Sequence, residues 1–386
     1  MRKPILAYIP ALARHQGVNA AHPISQILTV RRTSEATRIN KDGLIEQVSP
    51  ELPRQDWEGS NCPSLLMEPE RTNYATNNTS MHTYSNSVFG NNPNPTLTAD
   101  YTMAPDGTLT ATRLQTSKTG NDYSLISFPT TASDGSGGGY YTASVYVKSN
   151  TGSSQSIVFY GQGSAPNERT ATTEWSRIQF TGQRSGNTKY AYLGTNNSAD
   201  DDIDISVWGA QIELVNSYPS SLIYTDGSTA TRTKDYATGW SGSWINDADL
   251  SEGSFFVDAT HFTNPLNGYC QITLSNGGSS YIRNIYESGR VRTTAWLGVA
   301  QFDYFDYGAD QDQRNKILFT FKENEFKLYR AGQLITTDTA GVVPTGLNRL
   351  DLANPSGSDR FFEGKIHDIR VFDYVLSEEE AIKLTS

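Results

Sequence analysis

The stretch FDYFDYGADQD, residues 302–312, concentrates the groups in this chain that could do chemistry. Asp303, Asp306, Asp310 and Asp312 are hard oxygen donors of the kind Ca²⁺ takes, and Asp306, Asp310 and Asp312 form the candidate metal set. Tyr304 and Tyr307, interleaved with them, offer rings on which a pyranose could stack while Asp303 and Asp306 accept its hydroxyls. The spacing is not that of an EF-hand, and the alternative is an acidic turn facing water. Ca²⁺ is the single cofactor the sequence raises. A second oxygen-rich run, NSADDDID, carries Asp200, Asp201 and Asp202, but Asp202 and Asp204 fall on the polar parity of their strand and read as solvated. Trp175 and Trp208 are the ring candidates of the middle region, with burial in a sandwich core as the competing assignment.

Catalytic arrangements are missing. Glycosidases need two carboxylates at a set separation, and the acidic run KENE, residues 322–325, sits at a hairpin turn where like charges face solvent. There is no G-x-S-x-G, the five histidines are scattered, and the Gly-rich DGSGGGYY has no Lys-Ser/Thr after it to cradle phosphate. Cys62 and Cys270 lie far apart and match no zinc spacing, which leaves two free thiols. The chain is expected not to be an enzyme.

The elements that would position these residues are strands. At 386 residues two or three domains are expected, and Thr, Ser, Gly and Tyr abound where a helical protein would use Ala, Leu, Glu and Lys. A net charge of −10 without a segregated basic patch argues against nucleic acid, and no apolar run approaches the length that spans a bilayer. Residues 1–73 are punctuated by proline, bury little by themselves and read as an irregular arm. The opening MRKPILAYIPALA has signal-peptide character but is short and broken by Pro10, so it is expected to pack as part of that arm.

From about residue 91 the period becomes two: YYTASVYVKS places Tyr141, Ala143, Val145 and Val147 on one face. In DIDISVWGAQIEL the apolar parity switches after Val207, which predicts a bulge near Gly209. Residues 74–234 are assigned to one antiparallel sandwich and 235–386 to another, making the fold class all-β. KILFTFKENEFKLYRAGQL predicts two consecutive hairpins turning at Glu323-Asn324 and Ala331-Gly332. Ser377 to Glu380 is a capping box that starts a short terminal helix, expected to tuck Ile382 and Leu384 against the last strand and shield its edge.

At GKIHDIRVF followed by LSEEE, and at FKENEFKLYRAGQL, the last third resembles laminin-G/concanavalin-A-like lectin domains. The middle, with WGAQIEL and YPSSLIYTDGSTATRTKD, is similar to carbohydrate-binding-module-like jelly rolls of tailed-phage virion proteins. RRTSEATRINKDGLIEQVSPELPRQDW and SLLMEPERTNY resemble the segment that precedes such modules. The resemblance implies a virion structural protein, a fibre or capsid-decoration subunit, made in the host cytoplasm and carried on the virion surface. Its N-terminal segment would anchor to other virion proteins, its two sandwiches would meet cell-surface polysaccharide, and fibres of this kind are homotrimers. The rival assignments are a secreted bacterial glycan-binding adhesin and, behind it, a glycan depolymerase.

Overall fold

In the computed structural model, Tyr141, Ala143, Val145 and Val147 of strand Tyr140–Ser149 are all buried in one apolar core, as their shared parity requires. The structure describes residues 3–10, 30–59, 61–88, 93–117, 123–128, 139–161, 165–183, 191–195, 202–215, 218–238, 250–262, 268–287, 289–308 and 313–386. Their regular structure is almost wholly antiparallel strand, so the all-β class holds. The chain forms two compact units, one of Leu44–Gln47 with Glu70–Arg232, the other of Met1–Gly43, Val48–Pro69 and Thr233–Ser386.

The middle unit is a sandwich of two described five-stranded sheets. One runs Ser176–Gln183, Tyr140–Ser149, Asp204–Glu213, Ala111–Gln115, Thr96–Thr102; the other runs Glu168–Ala171, Gln155–Gly161, Ala191–Thr195, Ser124–Ser127, Ser85–Val88. The expected bulge is present. Ser144 pairs with Gln211 and Tyr146 with Trp208, leaving Val145 opposite both Gly209 and Ala210. Gly209 takes φ +70°, and a Cβ there would press on the Tyr146 ring at 3.1 Å. The extra residue moves Ala210 and Ile212 onto the face already used by Ile203, Ile205 and Val207, and all five reach the same core.

In the other unit, an eight-stranded sheet contains strands Gln333–Asp338, Glu325–Arg330, Arg314–Lys322, Gly253–His261, Gly364–Phe372, Ser64–Met67 and Arg54–Asp56, with Leu6–Tyr8 added beside Gly364–Phe372. Both predicted hairpins form in this sheet, with Asn324 and Ala331 at positive φ in their turns. The second sheet runs Val299–Asp306, Arg290–Leu297, Ser280–Glu287, Tyr269–Ser275, Arg349–Asp351. Phe255, Phe319 and Ile369 from the first meet Ile272, Ile282 and Phe302 from the second in a common core.

The N-terminal residues, read from sequence as a separate arm, are built into this sandwich. Leu6–Tyr8 pairs with Ile369–Val371 and Leu65–Met67 with Gly364–Ile366, so two N-terminal pieces share one edge of the same late strand. Leu6, Tyr8, Leu65 and Met67 are buried in the common core. The edge that the terminal helix was expected to shield is covered by these strands. The helix, Glu378–Thr385, has its complete capping box but lies on the outer face of the sheet, where Ala381 and Leu384 pack with Phe256, Leu318, Tyr329 and Phe372. Ile382 points to solvent, 37% exposed.

Charge holds the three segments together where apolar contact ends. Arg32 and Arg54, both fully buried, converge on Asp235: Arg32 donates Nη1 to Oδ1 at 3.0 Å, and Arg54 donates Nη2 to Oδ2. Arg54 also reaches Glu68 Oε2 at 2.6 Å, and Arg32 donates to the carbonyls of Ser34, Val48, Ser49 and Leu52. Burial works against the charge on Arg54, yet Asp235 and Glu68 hold it protonated above the usual arginine range. Removing one partner of such a network leaves its counter-charge buried, which costs about 3–5 kcal/mol. Asp235→Ala is therefore expected to lower the unfolding free energy in urea by about that amount, and a loss under about 1 kcal/mol would contradict the role given to the network.

Asp368 and His367 make a second test. Burial first, then Asp258 directly opposite in register, raises Asp368 to about 6. Burial first, then Arg314, lowers His367 to about 4. Between pH 4 and 6 the folded state holds a proton on Asp368 that the unfolded chain has released, so this group loses stability as pH rises. Across the same window the unfolded chain holds a proton on His367 that the folded state lacks, so that group gains stability as pH rises. The two slopes oppose. His367→Gln should make urea stability fall more steeply from pH 4 to 6 than in the wild type, and Asp368→Asn should tilt it the other way; unchanged slopes would refute the linkage.

Candidate functional site

The outer face of the five-stranded sheet Val299–Asp306, Arg290–Leu297, Ser280–Glu287, Tyr269–Ser275, Arg349–Asp351 is lined with arginine and rings. Alternation sends Cys270, Ile272, Leu274, Ile282, Tyr286, Val291 and Ala295 to the core and leaves the other parity outside. Antiparallel register then lays the outer residues in rows across the strands. Ser275, Tyr281 and Trp296 form one row; Thr273, Arg283, Thr294 and Asp303 the next; Gln271, Ile285, Arg292 and Phe305 the third.

The Tyr281 and Trp296 rings are within 3° of parallel with centroids 6.1 Å apart. The Arg283 guanidinium lies 4.6 Å from the centre of the Tyr281 ring, and Arg290 and Arg292 lie over Phe305 at 4.5 and 4.7 Å. Arg292 grips Asp303 with Nε and Nη2, both at 2.6 Å, and Arg290 pairs with Glu287. Arg283 has no carboxylate partner among the described residues. Its Nη1 donates to Gln271 Oε1 at 3.0 Å. Burial pushes its pKa below the usual arginine value, and the like charge of Arg292 adds to that. The arrangement can hold a flat, partly apolar ligand on the rings and accept negative charge beside them.

The residues singled out from sequence do not assemble into one site. Asp303 lies on this outer face, bound to Arg292 and also accepting from Thr294 Oγ1 at 3.3 Å. Asp306 has the opposite parity; it is 7% exposed, paired with Arg330 through Nε and Nη2, and accepts the Gly308 N–H at 2.9 Å. Its oxygens are taken by protein donors, so the structure gives it an ion-pair role in place of the expected Ca²⁺ ligation. Asp310 and Asp312, like Asp200 and Asp201, lie outside the described residues. Among the described residues no group of three or more His, Cys, Asp and Glu could hold a metal ion. Tyr304 packs against the core, whereas Tyr307 is 68% exposed and accepts a hydrogen bond from Arg290 Nη1 at 3.1 Å.

In the middle unit Trp208 is fully buried, between Tyr146 and Tyr224, with Nε1 donating to Thr110 Oγ1 at 3.1 Å. It is a packing residue and cannot offer its face to a sugar, which corrects the expectation. Trp175 is half-buried and its Nε1 is spent on the Met103 carbonyl at 3.1 Å. The rings that do gather away from the core are Tyr123, Tyr160 and Tyr192, with successive centroids 6.4 and 5.5 Å apart. Burial, with its two neighbours adding, pushes the Tyr160 hydroxyl up to about 12, so it stays a neutral donor.

Residues 245–381 match the family model described as the concanavalin A-like lectin/glucanases superfamily. No curated protein matches the chain. Among solved structures it is similar to the CBM40 of the Ruminococcus gnavus IT-sialidase bound to α2,6 sialyllactose, at 17% identity and TM-score 0.30, covering 39% of this chain and 96% of that one. It is also similar to domain 4 of AbnA, a GH43 extracellular arabinanase from Geobacillus stearothermophilus, in complex with arabinotriose, at 13% identity and TM-score 0.32, covering 44% of this chain and 84% of that one. Domains LG4-5 of the mouse laminin α1 chain are similar at 9% identity and TM-score 0.27, covering 66% and 88%.

Trp208→Ala should behave as a core truncation, lowering unfolding free energy by about 3–5 kcal/mol. Unchanged urea stability with a specific loss of ligand binding would return Trp208 to the list of contact residues.

Proposed function

We propose that this chain is a glycan-adhesion protein that works by binding, without catalysis, and that it serves as a fibre or capsid-decoration subunit on the surface of a tailed-phage virion. The parallel Tyr281 and Trp296 rings on the outer sheet face, with arginine donors beside them, carry the adhesive part. A pyranose has one face of axial C–H groups and a rim of hydroxyls, so rings and adjacent fork donors recognise it together. Support for the virion part comes from the N-terminal motif residues. Arg32, Arg54, Glu68 and Asp235, all within the stretches that resemble phage structural proteins, form a buried network, so the residues that carry the resemblance act together in one fold. The homotrimer belongs to the same proposal.

Retention of the pure chain on a panel of immobilised host-surface polysaccharides tests adhesion. At least one should bind, and Trp296→Ala should weaken it about 10-fold or more, equivalent to about 1.4 kcal/mol, with an unchanged urea midpoint. Retention that is indifferent to Trp296 would move adhesion off this face. Immunogold labelling should place the chain on intact particles, light scattering should give three chains per assembly, and reducing-end release from a bound polysaccharide would convert the assignment to a depolymerase.

A further inference from the structure

Of the four arginines on the outer sheet face among the described residues, three are matched by acid, Arg349 by Asp351. Arg290 has Glu287, and Arg292 has both oxygens of Asp303. Arg283 stands opposite Thr294, one row from Arg292, and has neither. Its Nε is buried without an acceptor. Beside it Gln271, 1% exposed, spends Oε1 on Arg283 and leaves Nε2 buried, also without an acceptor. A half-buried guanidinium has given up part of its hydration, and with no counter-charge it is stabilised by any anion that reaches it. On one side it is flanked by the Tyr281–Trp296 ring pair, on the other by the Arg292–Asp303 ion pair. The protein thus provides a fork of donors carrying one unmatched positive charge and a ring platform at one place.

We propose that this face takes an acidic saccharide, a sugar carrying a carboxylate, with the carboxylate on Arg283 and the pyranose ring against Tyr281 and Trp296. The identification of the ligand class rests on the glycan-adhesion proposal and adds charge to it. A carboxylate is chosen because its planar pair of oxygens matches a guanidinium fork. The neutral amide of Gln271 beside Arg283, where a second carboxylate would have closed the site, leaves that fork open to the ligand.

The test is isothermal titration of the intact chain with polygalacturonate, hyaluronan and alginate, each beside its carboxyl-reduced form, and with dextran sulfate. At least one carboxylated polymer should bind about 10-fold or more tightly than its reduced form, a difference of about 1.4 kcal/mol, and binding should weaken with added salt. Arg283→Gln should erase the preference while leaving the urea midpoint at or above that of the wild type, since it removes an unmatched charge. Arg283→Lys, which keeps the charge without the fork, should restore only part of it. Equal binding of carboxylated and reduced polymers would overturn the inference while leaving glycan adhesion standing. Equal binding of dextran sulfate, with the same dependence on Arg283, would overturn the choice of carboxylate, and no binding of any of these polymers would overturn the acidic-saccharide inference, while glycan adhesion is decided by the host-polysaccharide panel. The comparison of acid and reduced forms uses the wild-type chain, so it stands even if a variant fails to fold.

Discussion

Asp235 is the point on which the C-terminal sandwich closes. Its two oxygens take one arginine each, Arg32 and Arg54, from segments that lie about 200 and 180 residues earlier in the chain. Joining such distant pieces is entropically expensive, and the strands they contribute are short, only three residues in Leu6–Tyr8 and Arg54–Asp56. Short strands gain few ladder hydrogen bonds, so the ordering of these segments leans on buried apolar anchors and on this charge cluster. The cluster also constrains register. A guanidinium sealed from water tolerates no slip, because moving Arg54 one residue would turn it to the opposite face and leave Asp235 and Glu68 without it.

The sheets that follow divide their two faces by chemistry. Inward, both sheets supply aliphatic and aromatic side chains to one core. Outward, the eight-stranded sheet is covered in part by the terminal helix, whose Ala381 and Leu384 seal Phe256 and Phe372, and in part by Arg–Asp pairs such as Arg314 with Asp258. The five-stranded sheet has rings and arginines on its outer face. The difference matters for function: the first outer face is closed in part by the terminal helix, while on the second the 353–360 segment covers Thr273 and Ser275 and leaves Tyr281, Trp296 and Arg283 partly exposed.

Local signals in the sequence carried through to the structure. The parity switch at Gly209, the turns at Asn324 and Ala331 and the Ser377–Glu380 box all depend on neighbours a few residues apart, so period and turn chemistry suffice to place them. Pairings across hundreds of residues leave no such trace. Leu6–Tyr8 looks like a proline-flanked leader until Ile369–Val371 supplies its partner. The acidic run at 303–312 misled for a related reason: alternation puts Asp303 and Asp306 on opposite faces, and their true partners, Arg292 and Arg330, lie on other strands. Conversely, the outer face was within reach of parity alone. In GRVRTTAW, Arg290, Arg292, Thr294 and Trp296 share one side, and in YIRNIYE so do Tyr281, Arg283 and Glu287, but only the register between the two strands shows that Tyr281 meets Trp296.

Net charge sets the terms on which such a face can work. At −10 the chain as a whole repels an acidic polymer, but in physiological salt that field decays over about 8 Å. Within that range a ligand at Arg283 experiences Arg283 and the Arg292–Asp303 pair, whose charges offset each other. Attraction is therefore a contact effect and adds little long-range steering, so association would be slow relative to a basic lectin and each contact weak. Weak, short-range contacts become firm attachment when many copies are presented together, because after the first has bound, the rest act at high effective concentration. If the face binds as proposed, it would work best when presented in repeated copies.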